Sequence, residues 1–309
     1  MRRLFSEYPL GSLWKDIMAS STSILALVVL YKMDFAASPS YNLLALALKQ
    51  QPGLAQIIRM VVVDNSPQPQ LLPAGFAGSY LHDGTNPGLA KRYNLALSLA
   101  AESNASWLLL LDQDTSLTLA YLEELLALSS QLLNDPAIVA IVPKLVAGTT
   151  LYAPHVPVYR EVPYRLDLDS NGVVGDLIHP YNSGALVRVQ ALQAIGGFPE
   201  AYWLDYLDFA TFHRLQAEGG RIYVMKARLQ HEMSAHRPER YNDPAHAPRH
   251  RNHLSAARRY YDEFGSNDER RKRRREIFRM AVGMVRRGHL AEAARLLQAA
   301  ISAGPHNAK

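Results

Sequence analysis

Short apolar runs alternate with amphipathic segments along the first two thirds of the chain. Residues 23–31 and 56–63 are rich in Val, Ile and Leu, and each is followed by polar or turn-forming residues, which is typical of buried parallel strands. Between them, residues 41–50 carry apolar side chains at helical spacing and end before Pro52 and Gly53, which stop helices. The pattern therefore predicts a βαβ unit.

The same alternation continues to residue 225. It predicts further strands at residues 80–82, 107–111, 137–142, 182–187 and 221–225. It predicts further helices at residues 89–101, 117–133, 189–195 and 205–218. Residues 147–180 follow neither pattern and are interpreted as an irregular binding loop. Together these elements predict an α/β fold, with an open, twisted, mostly parallel sheet flanked by helices.

Beyond residue 234 the pattern changes to helices alone. Residues 238–251 are rich in proline and predict a linker. Two helical stripes follow, one of Ile277, Met280, Ala281 and Met284, and one after Gly288 of Leu290, Ala293, Ala294, Leu297 and Ile301. The stripes predict a helical hairpin that packs on another surface. The chain is thus expected to contain one α/β domain over residues 1–234 and a C-terminal helical extension over residues 235–309.

Charge separates the same two regions. Residues 1–234 are net acidic, whereas residues 235–309 are net basic and contain six consecutive basic residues at 270–275. Such runs are attracted to anionic lipid or to nucleic acid. We expect residues 268–287 to contact an anionic membrane, with the basic run beside the first helical stripe. The alternative is packing of this helix on the α/β domain or, in a homo-oligomer, on a second subunit.

Composition narrows the chemistry and the location. The chain contains no cysteine, so a metal must be held by Asp, Glu, His or water, which favours a hard cation. No apolar run reaches the roughly 18 residues that cross a bilayer, and the N-terminus lacks the pattern of a signal peptide. We therefore expect a cytoplasmic protein, peripheral at most on the inner face of the cell membrane.

Acidic side chains follow two of the predicted strands. Asp112 and Asp114 end the apolar run 107–111, and residues two apart in extended backbone point to the same side, so both carboxylates are expected at the ligand-binding edge of the sheet. Asp64 ends residues 56–63 in the same way and is placed to accept hydrogen bonds from a nucleobase or ribose. The alternative for all three is a turn or helix cap, where Asp is also favoured.

A turn of Asn86, Pro87 and Gly88 opens a predicted helix whose first turns carry Lys91 and Arg92. Helix N-termini attract phosphate, and these cations would add to the attraction; an ordinary N-terminus with exposed basic residues is the alternative. The chain has no Walker loop and no GxGxxG after its first strand, which argues against a P-loop ATPase or a Rossmann dehydrogenase.

Aromatic residues, glycines and two acids cluster between residues 182 and 208. Gly196, Gly197 and Trp203 are typical of a sugar-sized platform, and Asp205 and Asp208 share the first turn of a predicted helix. A capping box with Asp205 as the cap and Asp208 as its partner is the alternative. His231, just after the last strand, is a candidate metal ligand, although a lone histidine is more often structural.

These residues together resemble the family-2 GT-A glycosyltransferases, and among them the bacterial rhamnosyltransferases. The resemblance covers residues 22–234 and follows the order of the family's motifs. It rests on Tyr31, Val63-Asp64-Asn65, Asn86-Pro87-Gly88 with Asn94, Leu111-Asp112-Gln113-Asp114, Ser183-Gly184, and Gly196-Gly197-Phe198 leading to Leu204-Asp205-Tyr206-Leu207-Asp208.

The resemblance implies an inverting transfer, a sheet of about seven strands and a role for each matching residue. Donor-binding residues would be Tyr31, Asp64, Asn86, Gly88, Lys91, Asn94, Asp112 and Gln113. Acceptor-binding residues would be Ser183, Gly184 and Trp203. Mg²⁺ or Mn²⁺ would be held by Asp114, Asp112 and His231. The catalytic base would be Asp205 or Asp208, and Asp205 is preferred because it lies just after the aromatic pair Tyr202 and Trp203.

The substrates implied are a dTDP- or UDP-sugar, with dTDP-rhamnose favoured, and a hydroxyl of a bacterial polysaccharide, an O-antigen or a lipid-linked precursor. Two other functions stay open at this point. A sugar-nucleotide nucleotidyltransferase uses similar acidic metal ligands but releases pyrophosphate. A nucleic-acid-binding protein would act through the basic extension, but nucleic acid is not expected because the region with the predicted sheet is net acidic.

Overall fold

The structure is a computed structural model. It describes residues 23–160, 165–230 and 247–288, and in addition Leu290, Ala293, Ala294, Leu296 and Leu297. The predicted metal ligand His231 lies outside the described residues, as does Ile301 of the second helical stripe. The proposed boundary between the two regions, at residues 234 and 235, also lies outside them, so this division stays a prediction.

The described residues form one nine-stranded sheet. Its strands are β1 (Ile24–Leu30), β2 (Ile58–Asp64), β3 (Ser79–His82), β4 (Trp107–Asp112), β5 (Ile138–Ala147), β6 (Thr150–Ala153), β7 (Gly172–Val174), β8 (Ala185–Arg188) and β9 (Arg221–Gln230). The spatial order is β3-β2-β1-β4-β8-β5-β9-β7, and β6 pairs with β5. The resemblance implied about seven strands, and the difference arises from the short strands β6 and β7 in the region expected to be irregular.

Seven α-helices flank this sheet in the described part of the chain. They are α1 (Pro39–Gln50), α2 (Leu89–Glu102), α3 (Leu119–Gln131), α4 (Val189–Ala194), α5 (Leu207–Ala217), α6 (Ala247–Phe264) and α7 (Asn267–Arg286). Each helix predicted within residues 41–218 is present, with ends shifted by one or two residues. Across the described helices, none is both long and apolar enough to cross a membrane.

Most strands run in one direction. β1 pairs in parallel with β2 and β4, β2 with β3, and β5 with β9. Strand β8 is antiparallel to both of its neighbours, β4 and β5, which therefore run the same way as each other. The predicted α/β fold with a mostly parallel sheet is confirmed.

Apolar side chains cover both faces of the sheet. Along β1, Ile24, Ala26 and Val28 belong to a buried cluster that includes residues of α1 and α3. The intervening Leu25 and Leu27 belong to a second cluster, with residues of α2 and α5. Alternate strand residues point to opposite faces, so a strand that is apolar throughout, as β1 is, requires cover on both. Burying each such side chain contributes about 1.5–3 kcal/mol.

The register of the central strands fixes where the polar residues meet. Leu30 is the partner of Asp64 across β1 and β2, and Val29 is the partner of Asp112 across β1 and β4. The carboxyl ends of three adjacent parallel strands therefore lie at one edge. This is the edge at which open α/β sheets bind ligands.

The C-terminal region differs from the sequence-based expectation in two ways. Residues 247–251, expected to be linker, form the first turn of α6, since a proline is tolerated at the start of a helix. The first helical stripe was expected beside lipid, but Ile277 and Ala281 are buried against Leu254 of α6 and Leu296, with Met284 packed beside them. Gly288 adopts φ +82° just after the end of α7, where the sequence predicted a break between two helices.

Helix α6 packs on α5 through polar as well as aromatic contacts. The Tyr260 hydroxyl lies 2.9 Å from His179 Nε2 and 2.9 Å from His213 Nδ1, so it can donate to one imidazole and accept from the other. Arg214 of α5 forms an ion pair with Glu263 of α6 at 2.6 Å. The extension is therefore joined to the same structural unit as the sheet edge that carries the acids.

Candidate functional site

The ends of β1 and β4 are tied together by one side chain. The Tyr31 backbone N–H donates to Gln113 Oε1 at 2.7 Å, and Gln113 Nε2 donates to the Tyr31 carbonyl at 3.3 Å. The Gln113 amide thus continues the pairing of the two strands beyond their ends. The Tyr31 ring is 41% exposed beside this pair, and an exposed aromatic ring can stack on a flat or apolar ligand face.

The N-terminus of α1 also holds the loop after β4. The Ser40 hydroxyl donates to the Asp112 carbonyl at 2.5 Å, and the Ser38 hydroxyl donates to the Gln113 carbonyl at 2.7 Å. These bonds use the backbone of the loop and leave the side chains of Asp112 and Asp114 directed elsewhere. Sequence reasoning missed both serines, because a hydroxyl that supports a distant loop leaves no local pattern.

Asp64 is buried and fully hydrogen-bonded within the protein. Its Oδ1 accepts from the Ser66 N–H at 2.8 Å, and its Oδ2 accepts from the Tyr80 hydroxyl at 2.8 Å and from Gln70 Nε2 at 3.0 Å. Burial alone would raise the pKa of this carboxyl, but the donors outweigh burial and hold the pKa below its usual value. The turn that the sequence left as the alternative is present, and the carboxylate orders residues 66–70.

Those residues form one side of an open cleft of about 800 Å³ at the ends of β1 and β2. Backbone and side chains of both loops line it, including Lys32, Met33, Ser66, Pro67 and Gln70. A cleft of this size, with apolar walls and a few polar groups, suits a nucleoside. Lys32, which lines it, has its Nζ 5.2 Å from the centroid of the Tyr31 ring, and β1 is the neighbour of β4 in the sheet.

A second group of acids lies where β4, β8 and α5 meet. The Ser183 hydroxyl, just before β8, donates to Asp112 Oδ2. Burial, together with the negative charges of Asp205 and Asp112, raises the pKa of Asp208 to about 7, against hydrogen bonds from the backbone N–H groups of Phe209 and of Asp208 itself. Asp112, Asp205 and Asp208 are therefore close enough to interact electrostatically.

Tyr93 of α2 lies under this group. Burial raises the pKa of its hydroxyl well above the usual value, and the charges of Asp112 and Asp208 raise it further. The hydroxyl is buried, and its hydrogen bond to the Asp112 side chain also raises its pKa. Tyr93 therefore supports Asp112 from the buried side of the site.

Asp205 has a partner from the C-terminal extension. His253 Nδ1 of α6 lies 3.3 Å from Asp205 Oδ1. The other oxygen, Oδ2, is buried and makes no hydrogen bond among the described residues. Sequence reasoning missed His253, because nothing near it in the chain marks it and the contact spans 48 residues.

The start of α5 is not the capping box that the sequence offered as an alternative. The helix begins at Leu207, its N-cap residue is Tyr206 at φ +64°, and no side chain caps it. Asp205 precedes the cap and Asp208 lies in the first turn. The left-handed Tyr206 is a strained conformation of the kind that clusters at functional sites, and it turns the two acids into the same region.

The turn of Asn86 and Gly88 packs on Trp203. Gly88 adopts φ +100°, and a Cβ there would lie 2.3 Å from Trp203 Cδ1. The Leu89 N–H donates to the Trp203 carbonyl at 2.7 Å, and the indole is 40% exposed. Asn86 itself is left-handed at φ +45°. The two predicted segments, one for the donor and one for the acceptor, thus form a single wall.

Other predicted site residues have structural contacts. Asn94 donates to the Phe198 carbonyl at 2.9 Å and accepts from the Phe198 N–H at 2.8 Å, so its amide holds the loop before Trp203. Gly184, at φ +75°, donates to the Leu110 carbonyl at 2.8 Å. The backbone of these residues, more than their side chains, positions the wall of the site.

The two cations at the start of α2 have different environments. Lys91 is exposed and remains available to an anion. Arg92 is buried, forms an ion pair with Asp83 at 2.6 Å and donates to Asn65 Oδ1 at 2.6 Å. Arg92 therefore joins the loops after β2 and β3 and does not add free charge.

The donor atoms at the end of β4 fit a hard cation. Among the described residues, no group of three or more His, Asp or Glu side chains forms a ready-made metal site. Asp112 and the exposed Asp114 nevertheless supply carboxylate oxygens, and Mg²⁺ is commonly held by one or two carboxylates together with substrate phosphates and water. Gln230, the last described residue before His231, pairs with Ser116, two residues beyond Asp114. Asp112 and Asp114 thus suit a cation that binds together with a diphosphate.

No protein-family model matches this chain, and no curated protein matches it either. Solved structures of similar shape include residues 1–349 of S. aureus TarS, at 15% identity and a TM-score of 0.47, covering 91% of this chain and 81% of that one. The mannosyltransferase PcManGT from Pyrobaculum calidifontis, solved with GDP-Man and Mn²⁺, has 14% identity and a TM-score of 0.48, covering 93% and 92%.

Mannosyl-3-phosphoglycerate synthase from Rubrobacter xylanophilus has 13% identity and a TM-score of 0.46, covering 84% of this chain and 81% of that one. At TM-scores below 0.5, these similarities add no weight to an assignment of function. An assignment of function therefore rests on the residues of the site.

Proposed function

We propose that this protein is a metal-dependent glycosyltransferase that uses a nucleotide-sugar donor. The observation that carries the proposal is the convergence of Asp112, Asp205 and Asp208 at the carboxyl edge of the sheet, one strand away from a nucleoside-sized cleft. Transfer between a nucleotide sugar and a hydroxyl needs an oxygen-lined diphosphate site beside a carboxylate base. Carboxylate oxygens for a cation and candidate bases at the same edge of the sheet support this function.

The donor would bind along the edge from β2 to β4. The cleft bounded by Lys32 and residues 66–70 would take the nucleoside, with the Tyr31 ring beside it. Asp64 would order the wall of that cleft through its bonds to Ser66 and Gln70. Lys91, exposed at the start of α2, would attract the diphosphate together with the helix N-terminus.

Asp114, Asp112 and His231 would hold the Mg²⁺ or Mn²⁺. When bound there, the cation supplies positive charge to the diphosphate that leaves. Ser183, by donating to Asp112, fixes the orientation of that carboxylate. Asp114, which makes no hydrogen bond or ion pair among the described residues, keeps its oxygens open.

Asp208 is our choice for the base, although the sequence pattern favoured Asp205. A base is most effective when its pKa lies near the working pH, and that of Asp208 is about 7. Asp205 is engaged by His253 and contributes negative charge beside Asp208. Trp203, exposed on the same wall, would stack on the acceptor sugar. Attack from the face opposite the diphosphate would invert the anomeric centre.

The favoured reaction is transfer of L-rhamnose from dTDP-rhamnose to a hydroxyl of a bacterial polysaccharide, O-antigen or glycolipid precursor. This finer assignment is supported by the sequence resemblance to rhamnosyltransferases alone. The acceptor would be met in the cytoplasm or at the inner face of the membrane.

The direct test is a thermal-shift screen of nucleotide sugars with and without Mn²⁺, because a ligand that binds only the folded state raises the melting temperature. We expect a dTDP- or UDP-sugar to stabilise the protein only when Mn²⁺ is present. Asp114→Ala should melt at the temperature of the unliganded wild type and lose the Mn²⁺-dependent shift, since an exposed strand-end acid is not part of the core.

Product analysis then separates the two enzymatic candidates. A glycosyltransferase releases a nucleoside diphosphate, whereas a nucleotidyltransferase releases pyrophosphate. Pyrophosphate release, or full activity of Asp114→Ala in the presence of a chelator, would contradict the proposal.

A further inference from the structure

Another open cleft, of about 430 Å³, lies between α7 and the turn of residues 157–160. The turn is closed by a hydrogen bond from the Arg160 N–H to the Pro157 carbonyl at 3.2 Å. Lys272 of α7 donates to the Tyr159 carbonyl at 3.2 Å, so the turn is fixed on the helix. We call this space the α7 cleft. It shares no lining residue with the cleft at the ends of β1 and β2.

Basic side chains dominate the lining of the α7 cleft. Four of its residues are basic and one is acidic: Arg160, Lys272, Arg275 and Arg279, with Glu276. Lys272, Arg275 and Arg279 are spaced by three and four residues, so they share one face of the helix. That face is opposite the stripe of Ile277 and Ala281, which is buried against α6.

Three acids beside the α7 cleft are already engaged by cations. The ion pairs are Asp268 with Lys272 at 2.9 Å, Glu269 with Arg160 at 3.4 Å, and Glu276 with Arg273 at 2.9 Å. Glu276 also accepts from the Tyr159 hydroxyl. Arg275 and Arg279 are exposed and make no hydrogen bond or ion pair among the described residues. Two guanidinium groups in one concave site therefore lack a negative partner.

We propose that the α7 cleft binds the phosphate group of a phosphorylated saccharide or a phosphate ester of similar size. Guanidinium groups match phosphate oxygens in two-pronged hydrogen bonds, and side chains four residues apart on a helix are close enough to hold one phosphate between them. The volume suits a small ligand. Val158, which is 69% exposed, and the Tyr159 ring provide apolar surface for the rest of it.

A macromolecular polyanion fits the α7 cleft less well. Nucleic acid and anionic membranes are bound by cations spread over an extended surface, because each phosphate contact contributes separately. Here the two cations without a negative partner, Arg275 and Arg279, line one enclosed volume together with engaged side chains. Such an arrangement favours a single small anion.

Calorimetric titration of the full chain tests the proposal without a nucleotide sugar. EDTA is present, so that the acids at the end of β4 have no cation and repel phosphate. We expect glucose 1-phosphate to bind, inorganic phosphate to bind more weakly, and methyl glucoside not to bind. Equal affinity for inorganic phosphate would identify the free ion as the ligand and overturn the assignment to an ester. No binding of either phosphate would overturn the site but leave the proposed transfer reaction untouched.

Removal of the two cations should abolish most of this affinity. Arg275→Gln/Arg279→Gln should raise the Kd for glucose 1-phosphate by about tenfold or more, because charge-assisted hydrogen bonds to the phosphate are lost. The matched control, Arg271→Gln/Arg286→Gln, removes two exposed arginines of α7 that do not line the cleft. Its Kd should stay within about twofold, since distant charges are screened.

Both double variants should keep the wild-type melting temperature, because all four side chains are exposed. An equal rise of Kd in the two variants would mean that net charge drives binding, and would overturn the proposal.

Addition of a negative charge tests the location independently. Val158→Glu places a carboxylate in the α7 cleft and should abolish binding of glucose 1-phosphate by repulsion. Val173→Glu, at an exposed position on β7, adds the same charge elsewhere and should bind as the wild type does. Unchanged binding by Val158→Glu would contradict this site. Retention of duplex DNA without any binding of glucose 1-phosphate would assign the arginines to a polyanion instead.

Discussion

Among single residues, Asp208 has the environment that most affects function. Its carboxyl is buried, and it shares the site with the carboxylates of Asp205 and Asp112 and the hydroxyl of Tyr93. The carboxyl is largely removed from solvent and the nearest charges are negative, so its pKa is raised to about 7. The same carboxyl at a solvated helix start would be ionised throughout the physiological range.

This environment predicts opposite effects on stability and activity. The pKa in the folded state is above the unfolded value of 3.8, so the stabilisation it provides is complete below about pH 4 and is lost as pH rises through about 7. We expect Asp208→Asn, measured without metal, to lose less thermal stability than the wild type between pH 5 and pH 8. Turnover should follow the reverse trend in the wild type, rising as Asp208 ionises, and a cation beside Asp112 moves that rise to lower pH.

The kinetic contrast is with Asp205→Asn. Asp208→Asn should bind donor but lose about 10²–10⁴-fold in kcat, the usual contribution of a general base. Asp205→Asn removes a negative neighbour, which lowers the pKa of Asp208, so its pH–rate profile should shift to lower pH while turnover persists. A stable, donor-binding but inactive Asp205→Asn beside an active Asp208→Asn would return the role of base to Asp205.

Gly88 gives a second prediction at this scale. Gly88→Ala would place a Cβ 2.3 Å from the Trp203 indole at a backbone angle that disfavours side chains, at a cost of about 1–3 kcal/mol of strain. Trp203 is part-exposed and can swing away, so we expect KM for the acceptor to rise more than Kd for the donor. Gly75→Ala has a similar φ of +74° but no neighbour within 4 Å, and it should lose stability without changing KM. Equal effects on KM would contradict a specific role for the contact.

Some of these residues were predictable and others were not. Asp112 and Asp114 were singled out because an apolar run marks a buried strand, and acids directly after it lie at the strand's carboxyl end, two residues apart on the same side. Tyr93 was not found, because its hydroxyl lies on the buried side of a helix whose pattern reports only apolar burial. His253 reaches Asp205 through the docking of two helices, and that contact depends on tertiary packing alone.

At the scale of elements, α6 links the C-terminal extension to the acids. Its His253 lies against Asp205, and its Glu263 forms an ion pair with Arg214. The hydroxyl of its Tyr260 lies within hydrogen-bonding distance of His179 and His213. Burial keeps the pKa of His179 well below its usual value and lowers that of His213 to about 4. Both imidazoles are therefore neutral at physiological pH, and the Tyr260 hydroxyl can bridge them.

Tyr260→Phe should consequently destabilise the protein. The ring keeps its packing, but His179 Nε2 and His213 Nδ1 lose their shared partner, and leaving buried polar atoms unpaired costs about 1–3 kcal/mol. Urea denaturation would measure the loss as a lower midpoint at an unchanged slope. The control is Tyr261→Phe on the same helix, whose hydroxyl makes no hydrogen bond among the described residues. Similar losses in the two variants would mean that the bridge contributes nothing specific.

The elements that the sequence missed share a physical reason. Strands β6 and β7 have four and three residues, too few to show an alternating pattern, and they form because a longer strand offers them an edge. The start of α6 was interpreted as linker because prolines end most helices, although the first turn tolerates them. By contrast, β1, β2 and β4 were predicted correctly because strands covered on both faces must be apolar throughout.

At the scale of the whole molecule, the two faces of the sheet and the carboxyl edge of β1, β2 and β4 follow from the sequence pattern. The direction of β8 does not, because a strand of only four residues carries no pattern that distinguishes the two directions. The position of the site was therefore predictable from the parallel strands. Ser183, just before β8, and His253, in the extension, also contact the acids of the site. Neither contact could be predicted from the sequence, because both depend on the three-dimensional packing.

The reversed direction of β8 bears on how chains of this kind can diverge. A parallel strand would have reached the site with the residues that follow it, whereas this one reaches it with the residues that precede it. Those residues end the connection that runs from β6 through the short β7 to β8, and its described residues contain no helix. Insertions or deletions there would reshape one wall of the site while β1 and β2 keep their register. Related chains should thus change their acceptor preference through the length of this connection more readily than they change their nucleotide preference.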